Sequence, residues 1–170
     1  MEIKSRHHLR SDAIDEIQET LADQLGVRLD ADSFEKVELA DSERDIVLVD
    51  GDPLVLYVGS AADGAASEYD AQPFLTVRGA NAYPPERNVV TVDAGAIEFV
   101  SNGADVMRPG IVTADEGIEA GDLLVINEGS HGKFLAVGRA LVDGTEMAGK
   151  EGRVVESLHH VGDDLYELSI

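Results

Sequence analysis

The stretch from Val89 to Gly110, VVTVDAGAIEFVSNGADVMRPG, limits the possible folds of this chain more than any other. Its apolar opening, Val89–Val92, predicts a short strand. Asp93 then precedes Ala94, Gly95 and Ala96 as an N-cap precedes a helix. The helix is expected to run to about Ser101, with Ile97 and Val100 facing inward, and to end at Asn102 and Gly103. A second short strand over residues 104–107 stops at the turn tripeptide Arg108-Pro109-Gly110. A helix start of this kind presents unpaired backbone N–H groups and the positive end of a dipole, which is an anion-binding arrangement. Gly95 has no side chain to obstruct a phosphate or ribose, and Arg108 offers a bidentate contact.

Downstream the pattern is almost all strand. A Gly121-Asp122 turn leads into a strand over 123–127. A glycine-bounded loop follows at 128–133, then a long strand over 134–142. Gly138 inside that strand permits a bulge or coiling, as a small barrel needs. Further strands are expected at 153–157 and 165–168. Together these residues predict a compact β-barrel with one or two helices.

The N-terminal half reads differently. Lys4, Arg6, His7, His8 and Arg10 form a basic cluster on a first strand or arm, with Glu2 the only acid there. Ser11 is placed to cap a helix whose first turn holds Asp12, Asp15 and Glu16. Ile14, Ile17, Leu21 and Leu25 form its apolar stripe, and Gly26 closes it. Strands are expected at 34–39, 46–49, 54–58 and 74–77, with a tight turn at Asp50-Gly51-Asp52-Pro53 and a small, polar loop over 59–70. Residues 81–88 carry Pro84-Pro85, which stiffens the backbone, and read as a connector. The expected organisation is α+β: residues 1–83 form a helix plus a small antiparallel sheet, and residues 84–170 form the barrel.

Charge bears on the partner. The chain has 13 Lys+Arg against 34 Asp+Glu, a formal net charge of −21. Only Lys4, Lys36, Lys133 and Lys150 are lysines. The acids are spread evenly, which points to a halophilic origin and not to an acidic tail seeking a basic partner. At about 1 M salt the Debye length is only ~3 Å, so distant carboxylates barely repel a polyanion and local contacts decide binding. There is no cysteine, so disulfides and thiolate metal sites are excluded. No apolar run approaches the ~20 residues of a spanning helix, and the charged N-terminus has no leader-like apolar region, so a cytoplasmic location without membrane contact is expected.

Catalytic chemistry finds little support. Residues 144–151, GTEMAGKE, nearly match a phosphate-binding loop, but Glu151 stands where the Mg²⁺-binding hydroxyl belongs and a strand follows. His7-His8 and His159-His160 are adjacent pairs whose members point to opposite faces of a strand. Ser130-His131 has no oxyanion partner. No cofactor, no metal and no enzymatic activity are expected.

The order Val92-Asp93-Ala94-Gly95-Ala96, Gly103-Ala104-Asp105-Val106, Arg108-Pro109-Gly110, Gly121-Asp122-Leu123-Leu124-Val125 and Ala136-Val137-Gly138-Arg139-Ala140 resembles the PUA domain, an RNA-binding module. Residues 152–166, Gly51-Asp52-Pro53-Leu54 and the stretch from Phe74 to Pro84 extend the likeness. The whole chain is similar to archaeal relatives of the translation re-initiation and recycling factor that pairs with density-regulated protein; Tyr166 stands where that family usually has Trp. The resemblance implies a non-catalytic RNA-binding protein acting in translation, at a tRNA acceptor region or the small ribosomal subunit, with tRNA or rRNA and a translation-factor or ribosomal partner. Its RNA face would comprise Asp93, Ala94, Gly95, Ala96, Arg108 and Gly110. Lys133, His131 and Arg139 join because cations are scarce, and Lys4, Arg6, His7 and Arg10 form a second patch. Two alternatives stand beside it: a targeting subunit of a tRNA-modification enzyme, and a protein-interaction module without RNA.

Overall fold

The computed structural model describes residues 2–42, 44–59 and 71–170. The loop expected over 59–70 therefore lies, beyond Gly59, outside the described residues.

The first half is an antiparallel meander. β1 (Ile3–His8), β2 (Phe34–Leu39), β3 (Ile46–Val49), β4 (Asp52–Val58) and β5 (Gln72–Leu75) pair in sequence order. Between β1 and β2 runs α1 (Ser11–Leu25), whose Ile17, Leu21 and Leu25 are wholly buried. Gly26 ends it in the left-handed region, at φ 68°, as expected. The N-cap is Arg10 and not Ser11, because the Arg10 carbonyl already accepts the Ile14 N–H at 3.1 Å.

A second correction falls at Val77. The strand stops at Leu75, and the Thr76 hydroxyl accepts the Gly79 N–H at 3.0 Å, starting α2 (Val77–Ala82). Gly79 lies so close to the Leu54 carbonyl that any side chain there would collide with it. Asn81 and Ala82, expected at the start of the connector, are the last residues of this helix.

The second half holds β6 (Val89–Val92), a 3-10 turn at Ala94–Ala96, α3 (Ile97–Ser101), β7 (Val106–Met107), β8 (Ile111–Ala114), β9 (Leu123–Glu128), β10 (Phe134–Ala140) and β11 (Arg153–His160). These strands pair in the order β7-β11-β10-β9-β6-β8, a sheet that curls into a near-closed barrel. Among the described residues, only β6 and β9 run parallel. The register slips between Val137 and Gly138, where a Cβ on Gly138 would come within 2.5 Å of Val155. The architecture is thus the expected α+β arrangement. Residues 165–168 form a turn and not a strand; Leu165 and Leu168 instead bury themselves in the core of the first half. β8 appears where no strand was expected.

β9 and β10 line two cores at once. Leu124, Ile126, Leu135 and Ala136 fill the barrel, while Leu123, Val125, Phe134 and Val137 join the core under the first sheet. Each large apolar side chain buried this way contributes about 1.5–3 kcal/mol. Polar ties reinforce the seam. The Asn81 amide exchanges two hydrogen bonds with the Phe134 backbone, at 2.9 and 3.1 Å. Arg44 donates to the Leu158 carbonyl at 2.7 Å and Arg139 to the Gly59 carbonyl at 2.6 Å. His159, 1% exposed, accepts the Val77 N–H on Nε2 at 3.1 Å.

Candidate functional site

At the end of β6 the chain makes the strand-to-helix step expected from its sequence. Asp93 is the N-cap: its Oδ1 accepts the Ala96 N–H at 3.0 Å. The Asp93 N–H bonds the Gly110 carbonyl at 3.0 Å, which fastens the Arg108–Gly110 turn beside the helix start. A Cβ on Gly110 would lie 3.1 Å from that of Ala96, so glycine allows this close approach.

Between the two segments opens a groove of about 440 Å³. Asp93, Gly95 and Ala96 form one wall; Met107, Pro109 and Gly110 form the other. Val100 and Val106, each 2% exposed, are its floor. Phe99 and Met107 stand at its sides, 65% and 49% exposed. Solvent-facing side chains of that size around one concavity mark a surface for a flat or apolar group. Its two acids are already engaged. Asp93 holds the cap, while Asp105 accepts Arg153 at 2.9 Å and the Ser157 N–H at 2.8 Å. Among the described residues, only Asp105 of these two carboxylates is ion-paired.

Arg108 is not where the sequence placed it. Its neighbours Met107 and Pro109 line the groove, while its own guanidinium reaches the 146–151 segment. Nε donates to the Glu146 carbonyl and Nη1 to the Glu151 carbonyl, both at 3.0 Å. Gly149 and Gly152 cradle the side chain; a Cβ at either would lie 2.8 or 2.7 Å from it. Of the two glycines that imitated a phosphate loop, Gly149 therefore makes room for the protein's own arginine, while Gly144 packs against the Asp115 carbonyl.

His131 and Lys133 lie at the same end of the barrel. Val92 and Glu128 are partners on parallel β6 and β9, and the Gly129 N–H bonds the Val92 carbonyl at 3.2 Å. This sets the 129–133 loop beside Asp93. Glu128, buried, holds the loop by accepting the N–H groups of Ser130, His131 and Lys133. The Lys133 N–H contributes most to lowering its pKa, outweighing the burial that raises it. The side chains of His131 and Lys133 are exposed. Arg139 is elsewhere, paired in register with Leu123 at the start of β9 and spent on the Gly59 and Gly121 carbonyls. Burial lowers its pKa, with help from Arg44. Lys4, Arg6 and His7 lie on β1 and Arg10 at the cap of α1, both in the first half of the chain. Of the expected RNA face, the structure thus joins Asp93, Gly95, Ala96 and Gly110 at one groove, with Ala94 in the same turn but outside the lining and His131 and Lys133 nearby.

The sequence did not single out Phe99 or Met107. A signal existed: with Ile97 and Val100 turned inward, Phe99 has to fall on the wet face of a short helix.

The PUA domain family matches residues 88–162. A conserved PUA domain protein of Thermoplasma acidophilum is 31% identical, with a TM-score of 0.78, over 95% of this chain and 97% of that one. The chain belongs to the PUA-domain proteins. A hypothetical protein of the hyperthermophilic archaeon Pyrococcus horikoshii OT3 is 30% identical, with a TM-score of 0.80, over 98% of this chain and all of that one. Translation machinery-associated protein 20 of Saccharomyces cerevisiae is 35% identical over 52% of each chain. An uncharacterized protein of Methanocaldococcus jannaschii is 47% identical over 48% of this chain and 51% of that one. The chain spans about half the length of these two curated relatives. The PUA domain suggests RNA binding. Among the described residues no helix is long and apolar enough to cross a membrane.

Proposed function

We propose that this PUA-domain protein is a non-catalytic RNA-binding component of the translation apparatus, acting at a tRNA acceptor end on the small ribosomal subunit. The carrying observation is the groove in which exposed Phe99 and Met107 flank small residues at a helix start. An unpaired nucleotide fits this chemistry: its base lies against Phe99 and Met107, and its sugar and phosphate approach Asp93–Ala96 closely at Gly95. His131 and Lys133 meet the backbone at the rim. Arg108 holds the groove wall through the 146–152 loop and does not touch a base. The name of the yeast relative supports the translational setting. We take residues 1–83 and 84–170 as the two domains, and the acidic coat as an adaptation to a salty archaeal cytoplasm.

The test is fluorescence anisotropy with a tRNA acceptor hairpin carrying its single-stranded 3′ end, compared with the blunt hairpin. Base–aromatic stacking is worth about 1–3 kcal/mol, so Phe99→Ala should weaken the tailed hairpin by about 5- to 150-fold. Because Phe99 is 65% exposed, the variant's melting temperature should stay near wild type. Equal binding by wild type and a Phe99→Ala/Met107→Ala double variant would show that RNA binds elsewhere.

A further inference from the structure

The first sheet ends on a strand that nothing else among the described residues uses. β1 is outermost and hydrogen-bonds only β2. Both its faces are open, with Ser5 alone half-buried. At the opposite end of the sheet, Pro73, Phe74 and Leu75 of β5 are buried.

The ladder fixes which backbone groups are unmet. The Leu9 N–H bonds the Phe34 carbonyl at 3.0 Å. Hydrogen bonding alternates along an antiparallel strand, so Ser5 and His7 also face β2, while Arg6 and His8 turn their N–H and C=O outward. An edge of this kind is a template for an added strand.

The same strand gathers positive charge in a protein of net −21. Arg6 is paired with Glu35 at 2.6 Å, and His8 lies 3.4 Å from the other Glu35 oxygen. Lys4 and Arg10 are exposed, and neither has an ion-pair partner among the described residues. Lysines often blunt sheet edges against aggregation. In a chain this rich in carboxylates, acids would serve that purpose equally well, so cations here select for the opposite charge.

We propose that β1 is the docking edge for an acidic, extended segment of a partner protein, whose backbone pairs with Arg6 and His8 and whose carboxylates face Lys4 and Arg10. A second copy of this chain is disfavoured, since β1 against β1 sets the cations against each other. RNA would answer the charge but leave the outward amides and carbonyls without a strand partner.

The probe is a synthetic peptide of alternating valine and glutamate, about ten residues long as strands commonly are. A valine–lysine peptide and poly(U) serve as comparisons. Amide hydrogen exchange on the full chain reads the site. The valine–glutamate peptide should slow exchange at Arg6 and His8, and the valine–lysine peptide should not. His8→Pro removes an outward N–H without breaking the β1–β2 ladder, and should cut affinity at least about tenfold. Lys4→Glu/Arg10→Glu should weaken binding several-fold at about 0.15 M salt and less at about 1 M. If His8→Pro fails to fold, the exchange result and the charge-reversal variant decide. The proposal is overturned if the acidic peptide leaves the Arg6 and His8 amides unprotected, if these substitutions leave its affinity unchanged, or if poly(U) protects those amides instead.

Discussion

His159→Ala tests how the two halves are joined. The imidazole is 1% exposed, receives the Val77 N–H on Nε2 at 3.1 Å, and has Nδ1 2.8 Å from Asp163 Oδ2. With Nε2 accepting, Nδ1 is the nitrogen that donates to Asp163, which fixes the orientation of the ring. Alanine leaves the buried Val77 N–H without a partner, at a cost of about 1–3 kcal/mol. It also removes a bond to a carboxylate, worth about 1.5–3 kcal/mol. Together these predict a loss of about 2.5–6 kcal/mol. At a urea slope of about 2 kcal/mol per M, the midpoint should fall by about 1.2–3 M. His159→Gln, which can still accept from Val77, should fall by less than half as much. The assay is urea unfolding at one fixed KCl concentration, followed by circular dichroism. A His159→Ala midpoint within about 0.3 M of wild type would refute the view that this ring bears on stability.

Asp163 gives a pH-dependent companion. Burial, the largest influence on its carboxyl, raises the pKa, but the His159 ring and the N–H groups of His160 and Tyr166 outweigh it and hold the value at about 2. A folded pKa below the ordinary 3.8 stabilises the fold above that pH, and the contribution is lost as pH falls from there to about 2. Allowing for partial exposure it amounts to about 1 kcal/mol, so the stability gap between wild type and Asp163→Asn should shrink by that much between pH 5 and the acid end; a constant gap contradicts this. Gly79→Ala drives a methyl into the Leu54 carbonyl and should cost about 1–3 kcal/mol or more, measured by thermal unfolding. Asn81→Ala strips two hydrogen bonds from Phe134 and should cost about 1–3 kcal/mol, with amide exchange accelerating first at Phe134.

Where local chemistry decided the structure, the sequence was readable. The α1 stripe, the Asp93 cap, the Gly26 terminus and the Gly138 bulge each follow from residues close together in the chain. What escaped depends on distant neighbours. α2 is too short to show a period, and it exists because Thr76 caps it and Gly79 fits against β4. Leu165 and Leu168 are spaced like core residues but serve a turn buried under the other sheet. At the groove, the helix start was legible but the direction of Arg108 was not, since its carbonyl partners lie about forty positions onward.

Because β9 and β10 are walls of both cores, nothing between the two sheets can act as a joint. Whatever sits at Phe99 and whatever lies along β1 are carried on one stiff chassis. If both proposed guests bind, this shared frame would hold them at a constant offset, and lengthening one arm would put them out of step.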